Sequence, residues 1–216
     1  MSQYFPVIAR VGCIGLALVG WFWTQKLIGR KAPTGDKITD RLHDWSAPLH
    51  AWLEASPRAA NATLIATSMG IDLFGLYLIG AAVFGSTFRP FVALLLVFGL
   101  RQICQGICTL PFPKGTIWRN PGFPSLLVTY GTSNDFFFSG HTSIAVLGAL
   151  ELAHAGPLWL SVVAGAVAVA EAITVIILRA HYTMDVFAAV FAAWACEVIA
   201  QQIAPTVDLW IVGRLG

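Results

Sequence analysis

The stretch TSIAVLGALELAHAGPLWLSVVAGAVAVAEAITVIIL, residues 142–178, decides the fold of this chain. It consists of two apolar runs, 142–156 and 157–178, that meet at Gly156-Pro157. Proline ends one helix and is tolerated in the first turn of the next, so this pair predicts a tight turn. A helix of roughly 20 apolar residues crosses the hydrocarbon core of a bilayer. The stretch therefore predicts a helical hairpin embedded in a membrane.

The composition of the whole chain agrees with this interpretation. Of its 216 residues, 57% are hydrophobic and 11% are charged, whereas a soluble domain has roughly 25% charged residues. Four further apolar runs occur at 7–25, 62–84, 91–110 and 186–203. The sequence predicts an all-α, multi-pass integral membrane protein with six transmembrane helices in a single domain, 1–216. The net charge of +2 gives no reason to expect a nucleic-acid partner, and the oligomeric state is not readable.

Two connections between the apolar runs are long. In the first, 26–61, apolar residues recur every three or four positions among charged neighbours, which is typical of an amphipathic helix at the membrane interface. These apolar residues are Ile38, Leu42, Trp45, Leu49 and Trp52. The second connection, 111–141, is rich in Pro, Gly, Ser and Asn. A loop of this length inside a compact domain is usually functional or disordered.

Threading six helices through a bilayer brings several polar helix ends to one face. That face receives both long connections and the short one at 179–184, so His141, Arg179, His181 and Asp185 become neighbours. The same face carries nine of the 13 Lys and Arg residues. By the positive-inside rule alone, this face would be cytoplasmic.

The pattern of these neighbours indicates phosphoryl chemistry. His181 and Asp185 are four residues apart, which places both side chains on one side of a helical first turn. A carboxylate there can hold the proton of one imidazole nitrogen and leave the other free to attack an electrophile. His141 is a suitable general acid for the leaving oxygen, because imidazole titrates near neutral pH. Arg179 and Arg101 offer planar guanidinium groups to phosphate oxygens, and in a membrane the phosphate belongs to a lipid.

Charged residues inside the predicted spans are a second group of candidates, since such residues are costly in a membrane and often functional. They are Asp72, Arg101 and Glu171. In one interpretation Asp72 and Arg101 form an ion pair; in the other, Arg101 binds phosphate and an acid binds a cationic headgroup. Trp118 and Tyr130 are either interfacial anchors or part of a cage for a quaternary ammonium group. A non-enzymatic alternative is a channel, transporter or scaffold in which the histidines are structural.

Two motifs narrow the choice. Residues 135–142 have the pattern D-x-x-x-S-G-H-T, and residues 181–185 have the pattern H-Y-[ST]-x-D. They resemble the type 2 phosphatidic acid phosphatase superfamily, particularly its sphingomyelin synthase-like branch. The segments LPFPKGTIWRNPGFP and LRQICQ, together with Arg179-Ala-His, are further similar to phosphatidylcholine:diacylglycerol cholinephosphotransferases. Asp135 favours the first branch and Arg179 the second, over a resemblance that covers about residues 100–190.

The resemblance implies a six-helix fold and transfer through a phosphohistidine, with no metal and no cofactor. It makes His181 the nucleophile and Asp185 its orienting carboxylate. It makes His141 the acid that protonates the leaving diacylglycerol and later the base that acts on the acceptor hydroxyl. It also places the site on the lumenal or periplasmic face, in contrast to the charge count. The candidate substrate-binding residues are Asp135, Ser139, Gly140, Arg179, Arg101, Tyr182 and Asp72.

One departure from the superfamily separates two enzyme hypotheses. Its phosphatases usually have Lys-x6-Arg-Pro before Ser-Gly-His, whereas here only four residues separate Lys114 from Arg119, and Asn120 replaces the proline. A phosphodiester has one negative charge fewer than a phosphomonoester, so fewer cations suit a diester donor. We expect transfer of a phosphocholine-like headgroup from a glycerophospholipid to a lipid hydroxyl, that of diacylglycerol or ceramide. The alternative is a lipid phosphate phosphatase or phospholipase C-like hydrolase, which uses water.

Overall fold

The computed structural model describes residues 5–30, 38–130 and 137–215, and within these ranges the chain is helical with no strand. The helices of these ranges are α1 (Phe5–Ile28), α2 (Arg41–Trp45), α3 (Ala47–Ala55), α4 (Pro57–Phe84), α5 (Arg89–Ile107), α6 (Gly140–Ala155), α7 (Leu158–Ile177) and α8 (Thr183–Leu215). Five of them, α1, α4, α5, α7 and α8, are long and apolar enough to cross a membrane. The all-α class is therefore confirmed, and these helices fit a multi-pass membrane protein.

The predicted hairpin is present as α6 and α7, which pack against each other. The N–H of Gly156 donates to the carbonyl of Leu152 at 2.8 Å and closes α6, and Pro157 is the N-cap of α7. With 16 residues, α6 is shorter than the five spanning helices, so the count of six spans stays a prediction. In contrast, α8 has 33 residues and continues through Pro205, well beyond the apolar run that predicted it.

The predicted amphipathic helix is present in two pieces, α2 and α3, with one residue between them. The break is explained by Pro48 in the first turn of α3, because proline has no N–H to continue the hydrogen bonding of α2. On the predicted apolar face, Trp45 and Trp52 are 72% and 55% exposed. His43 and His50 are buried instead. The tryptophans are therefore available to a membrane interface, and a location there stays a prediction.

The main core lies between α4, α5, α6 and α8 and includes Leu78, Val97 and Leu147. Gly148 allows α6 to approach α4 closely, because a Cβ at this position would lie 2.2 Å from Cδ1 of Phe74. This contact fixes α6 against α4 about two turns after the first sequence motif ends.

At one end of the bundle, Arg89 of α5 connects α6 and α8. Its Nη2 lies 2.5 Å from Oε2 of Glu151, and its Nη1 lies 3.5 Å from Oε1 of Glu197. Glu151 is ten residues past His141, about 15 Å at a helical rise of about 1.5 Å per residue. These ion pairs therefore fix the helices at the end opposite the sequence motifs.

Residues 119–130 form an irregular segment, here called the re-entrant segment, which follows α4 and turns back. At its start, Nη2 of Arg119 donates to Oδ1 of Asn61 at 2.7 Å. Its middle reaches Asp72, about 16 Å further along α4 at the usual helical rise. Its last residue returns to Ser68, with 2.6 Å between the two hydroxyl oxygens. The segment thus reaches into the helical bundle and turns back along α4.

Asp72 holds the middle of the re-entrant segment. Its carboxylate accepts hydrogen bonds from the hydroxyl of Ser125 and from the N–H groups of Leu126 and Leu127, at 2.9 to 3.1 Å. Non-helical backbone at membrane depth is tolerated only where its polar groups find partners, and Asp72 supplies them. The suggested ion pair between Asp72 and Arg101 is therefore wrong, because the Asp72 carboxylate is engaged by the loop and Arg101 donates elsewhere.

Candidate active site

One small cavity contains both motif histidines. His141, in the first turn of α6, and His181, just before α8, line it together with Arg101 of α5 and Gly140. The remaining wall comes from α1, α4, further residues of α5 and α6, the re-entrant segment, and Phe112 and Trp118 just before that segment. Its volume is about 40 Å³, which is room for a few water molecules. We call it the histidine cavity.

Ser139 sets the position of His141 in this cavity. The Ser139 hydroxyl oxygen is the N-cap of α6 and accepts from the N–H and the hydroxyl of Thr142, at 3.2 and 3.0 Å. The N–H of Ser139 donates to the carbonyl of Asp185 at 3.1 Å, which joins the starts of α6 and α8. Ser139 is fully buried. Its side chain therefore builds the site and does not line the cavity, although sequence reasoning placed it among the substrate-binding residues.

His181 and Asp185 meet as their spacing predicts. Nδ1 of His181 lies 3.6 Å from Oδ2 of Asp185, which also accepts from the N–H of Tyr182 at 2.9 Å. Asp185 is only 1% exposed, and its carboxylate is thereby held in one orientation. The carboxylate of Asp185 thus lies beside Nδ1 of His181, where it can orient the ring, and Nε2 is the ring nitrogen that faces away from it.

The short helices α2 and α3 hold the turn that bears His181 from outside. Nε2 of His43 lies 2.9 Å from the carbonyl oxygen of His181, and Nδ1 of His50 lies 2.8 Å from that of Ile177. Sequence reasoning missed both histidines. Their seven-residue spacing, on the helical face opposite the tryptophans, was the signal that could have found them.

Asp40 is the N-cap of α2 and also joins the start of α2 to the start of α8. Its two carboxylate oxygens accept from the N–H and the hydroxyl of Thr183, both at 2.6 Å. Burial raises the pKa of Asp40, but the hydrogen bonds from Thr183 and the charge of His43 outweigh it and hold the pKa below its ordinary value. A carboxylate at a helix N-terminus also interacts favourably with the helix dipole.

Arg101 is the cation of the histidine cavity. It is 3% exposed, and its Nε donates to the carbonyl of Phe138 at 2.7 Å. A Cβ at residue 140 would lie 3.4 Å from this Nε, so Gly140 allows the guanidinium to approach the start of α6 closely. Arg101 and Gly140 therefore lie where sequence reasoning expected phosphate-binding groups.

Arg179 occupies a different place. It has φ +52° and closes α7 in a Schellman motif, in which its own N–H donates to Ile176 and the next N–H donates to Val175. Its Nη1 donates to the carbonyl of Lys114 at 2.7 Å. Glycine is the usual residue in this left-handed conformation, because a Cβ costs about 1 kcal/mol there. The arginine is thus kept at a position where glycine would be more stable.

A second, more open cavity of about 570 Å³ lies next to the first, and Phe112 lines both. It is bordered by Arg179, Asp40 and Tyr182. The hydroxyl of Tyr182 donates to the carbonyl of Pro111 at 3.1 Å, and burial, followed by the nearby carboxylates, raises its pKa. The structure therefore places Arg179 and Tyr182 beside the histidine cavity and not inside it.

Trp118 was ambiguous in the sequence and has a definite place in the structure. Its ring contacts His141 edge to face, with 5.0 Å between centroids, and contacts Tyr130 at 5.2 Å. Its Nε1 donates to the carbonyl of Thr129 at 3.3 Å. Trp118 thus connects the re-entrant segment to a motif histidine. Asp135 lies outside the described residues, so its expected place beside the histidines rests on the motif alone.

The comparison with known families agrees with these motifs. The model of the AtPDCT1/2 family, which are phosphatidylcholine:diacylglycerol cholinephosphotransferases, matches residues 40–202. The chain belongs to this family, and the match includes both motifs, α2, α3 and the re-entrant segment. The family indicates an enzyme that transfers phosphocholine between lipids. No curated protein and no solved structure matches the chain.

Proposed function

We infer that this protein transfers a phosphocholine headgroup from a glycerophospholipid to the hydroxyl of diacylglycerol, through a phosphohistidine on His181. The observation that carries the proposal is the histidine cavity itself, which His141 and His181 both line and beside which Oδ2 of Asp185 lies 3.6 Å from Nδ1 of His181. Such a pair supplies a nucleophile with an orienting carboxylate and a separate acid–base group.

In the first half of the reaction, the ring nitrogen of His181 that does not face Asp185 attacks phosphorus. The bond between phosphorus and the glycerol oxygen breaks, and His141 donates a proton to that oxygen as diacylglycerol leaves. The Asp185 carboxylate offsets the positive charge that develops on the imidazole of His181. Arg101 donates hydrogen bonds to the non-bridging phosphate oxygens, whose charge grows in the transition state.

In the second half, His141, now neutral, takes the proton of the acceptor hydroxyl. The acceptor oxygen attacks phosphorus, and the bond between phosphorus and His181 breaks. His141 is protonated again, and both histidines return to their starting states. Because leaving group and acceptor belong to the same chemical class, the second half is the reverse of the first.

The number of cations in the cavity favours a diester donor. Within the described ranges, Arg101 is the one Arg or Lys side chain that lines the histidine cavity. Arg119, from the incomplete phosphatase motif, donates to Asn61 at the surface end of α4. A single guanidinium matches the single negative charge of a phosphodiester, whereas a terminal phosphate carries nearly two. Following the motif resemblance, we assign the site to the lumenal or periplasmic face.

The test uses purified protein in nanodiscs of phosphatidylcholine, without added metal and with labelled diacylglycerol. We expect label to appear in phosphatidylcholine. Labelled ceramide in place of diacylglycerol tests the alternative acceptor. Release of free phosphocholine or phosphate alone would contradict the proposal and indicate a hydrolase.

Histidine variants complete the test. His181→Ala and His141→Ala should abolish transfer, whereas His154→Ala should not, because His154 lies at the far end of α6 beside Gln201. With headgroup-labelled donor and no acceptor, the wild-type protein should carry acid-labile label at residue 181. Retained transfer in His181→Ala would rule out the phosphohistidine and would show that His181 has a structural role.

A further inference from the structure

An apolar cleft of about 410 Å³ lies between α1 and α5. Gly20 of α1 and Gly99 of α5 form part of its two walls, and Gly75 and Ile79 of α4 lie at its floor. Its rim includes Trp23 and Leu95, which are 63% and 53% exposed. The cleft therefore opens sideways, toward the hydrocarbon that surrounds a membrane-spanning helix.

The cleft adjoins the histidine cavity. Four side chains line both spaces, and we call them the partition: Trp21, Phe98, Leu127 and Ile144. Two of the four, Trp21 and Phe98, meet edge to face with 5.6 Å between centroids. A molecule in the cleft is thus one side chain away from Arg101 and His141.

The cleft has the length of one lipid leaflet. On α1 it extends from Ile14 to Thr24, ten residues, which is about 15 Å at the helical rise. The hydrocarbon core of a bilayer is about 30 Å thick, so this length is about half of it. The partition lies at the end of the cleft that is near the two motifs. A lipid from one leaflet would therefore have its polar end at the histidine cavity.

From these observations we propose that the cleft between α1 and α5 binds an acyl chain of diacylglycerol and thereby brings the glycerol oxygen to His141. The inference rests on the proposed function and adds the route and the binding site of the acceptor. Because diacylglycerol is both leaving group and acceptor, a single chain site serves both halves of the reaction. The acceptor reaches the cavity from the bilayer, while the headgroup lies toward the open cavity that borders Arg179.

Two glycines allow the cleft to be filled without touching the histidines. A Cβ at Gly20 or Gly99 would meet no atom within 4 Å, so Gly20→Leu and Gly99→Leu place side chains in open space within the cleft. Gly165 of α7 has equally open surroundings but does not line the cleft. Gly165→Leu is therefore a matched control for the same substitution in a membrane helix.

Binding is measured apart from chemistry, in the His181→Ala background. The probe is a diacylglycerol with a diazirine on one acyl chain, in phosphatidylcholine nanodiscs, and labelled peptides are mapped by mass spectrometry. We expect label on the cleft-lining turns of α1 and α5, reduced at least about tenfold by Gly99→Leu or Gly20→Leu and unchanged by Gly165→Leu. A lost methylene contact in an apolar pocket already changes binding by roughly tenfold or more.

Measurements of turnover distinguish a failure of the acyl-chain site from a failure of the proposed transfer reaction. In the active protein, Gly99→Leu should raise the KM for diacylglycerol about tenfold. Its Tm should equal that of the control variant Gly165→Leu. Label spread over other helices, equal effects of Gly99→Leu and Gly165→Leu, or crosslinks between two copies of the chain would overturn the acyl-chain site. If His181→Ala is inactive in that case, the proposed function still stands; if His181→Ala is active, the proposed function fails, whatever the labelling shows.

Discussion

Asp72 provides the most informative perturbation, because its carboxylate accepts from three donors of the re-entrant segment. Two of these donors are the backbone N–H groups of Leu126 and Leu127, at 3.0 and 2.9 Å. A hydrogen bond to a charged group contributes about 1.5 to 3 kcal/mol. Counting about 1.5 kcal/mol for each N–H and leaving out the Ser125 hydroxyl, Asp72→Ala should cost about 3 kcal/mol of local stability. A change of that size raises the population of the detached segment roughly 100-fold.

Hydrogen exchange measures this detachment directly. In Asp72→Ala, the amides of residues 126 and 127 should exchange roughly 100-fold faster, while those in the middle of α6 should not change. Transfer should fall as well, because Leu127 and Thr129 line the histidine cavity. Leu73→Ala is the matched control, since Leu73 is the next residue of α4 and is 65% exposed.

Two results would refute this reasoning. If amides 126 and 127 keep their protection in Asp72→Ala, the carboxylate does not hold the segment. If protection is kept but transfer is lost, Asp72 contacts substrate, as one interpretation of the sequence suggested. Asp72→Asn should fall between the wild type and Asp72→Ala, because the amide oxygen still accepts but has no charge.

Three further predictions concern the site. Asp185→Asn should lower the initial rate of transfer by roughly 10² to 10⁴, because a neutral amide does not stabilise the His181 imidazolium; an unchanged rate would remove Asp185 from the mechanism. Arg179→Gly and Arg179→Ala should both weaken donor binding, and the glycine variant should be the more stable by about 1 kcal/mol in thermal unfolding, because it lacks the strained Cβ; equal stability would contradict the strain. The pKa of Asp40 is lowered by folding, so its contribution to stability is complete above the ordinary aspartate pKa of about 3.9 and is lost as pH falls through the lower folded-state pKa. The Tm difference between wild type and Asp40→Asn should therefore shrink in strong acid, and a constant difference would argue against this linkage.

The sequence predicted those parts of the structure that depend on local signals. Gly156-Pro157 marked the hairpin, because proline ends one helix and is tolerated in the first turn of the next. The four-residue spacing of His181 and Asp185 placed both on one side of a turn, and alternate threading brought His141 to them. The ends of α8 were less predictable, because an apolar run marks the part of a helix that meets lipid, whereas α8 continues beyond it to Leu215.

The re-entrant segment was beyond the reach of sequence reasoning. Its position depends on contacts between Asp72 and residues more than 50 positions away, and nothing local distinguishes such an acid from one that pairs with an arginine. The length and composition of the loop 111–141 indicated a function, but they did not indicate that part of it reaches into the helical bundle. Trp118 likewise became informative only when the segment placed its ring against His141.

The single backbone hydrogen bond from Ser139 to the carbonyl of Asp185 has a consequence for how such an enzyme can change. It joins the starts of α6 and α8 through main-chain atoms, whatever side chains surround them. Most residues that shape the space around the histidines belong to other elements, including α1, α5 and the re-entrant segment. Substitutions there would reshape the cavity while the starts of α6 and α8 keep their spacing, so the shape of the cavity can change independently of the two motif histidines.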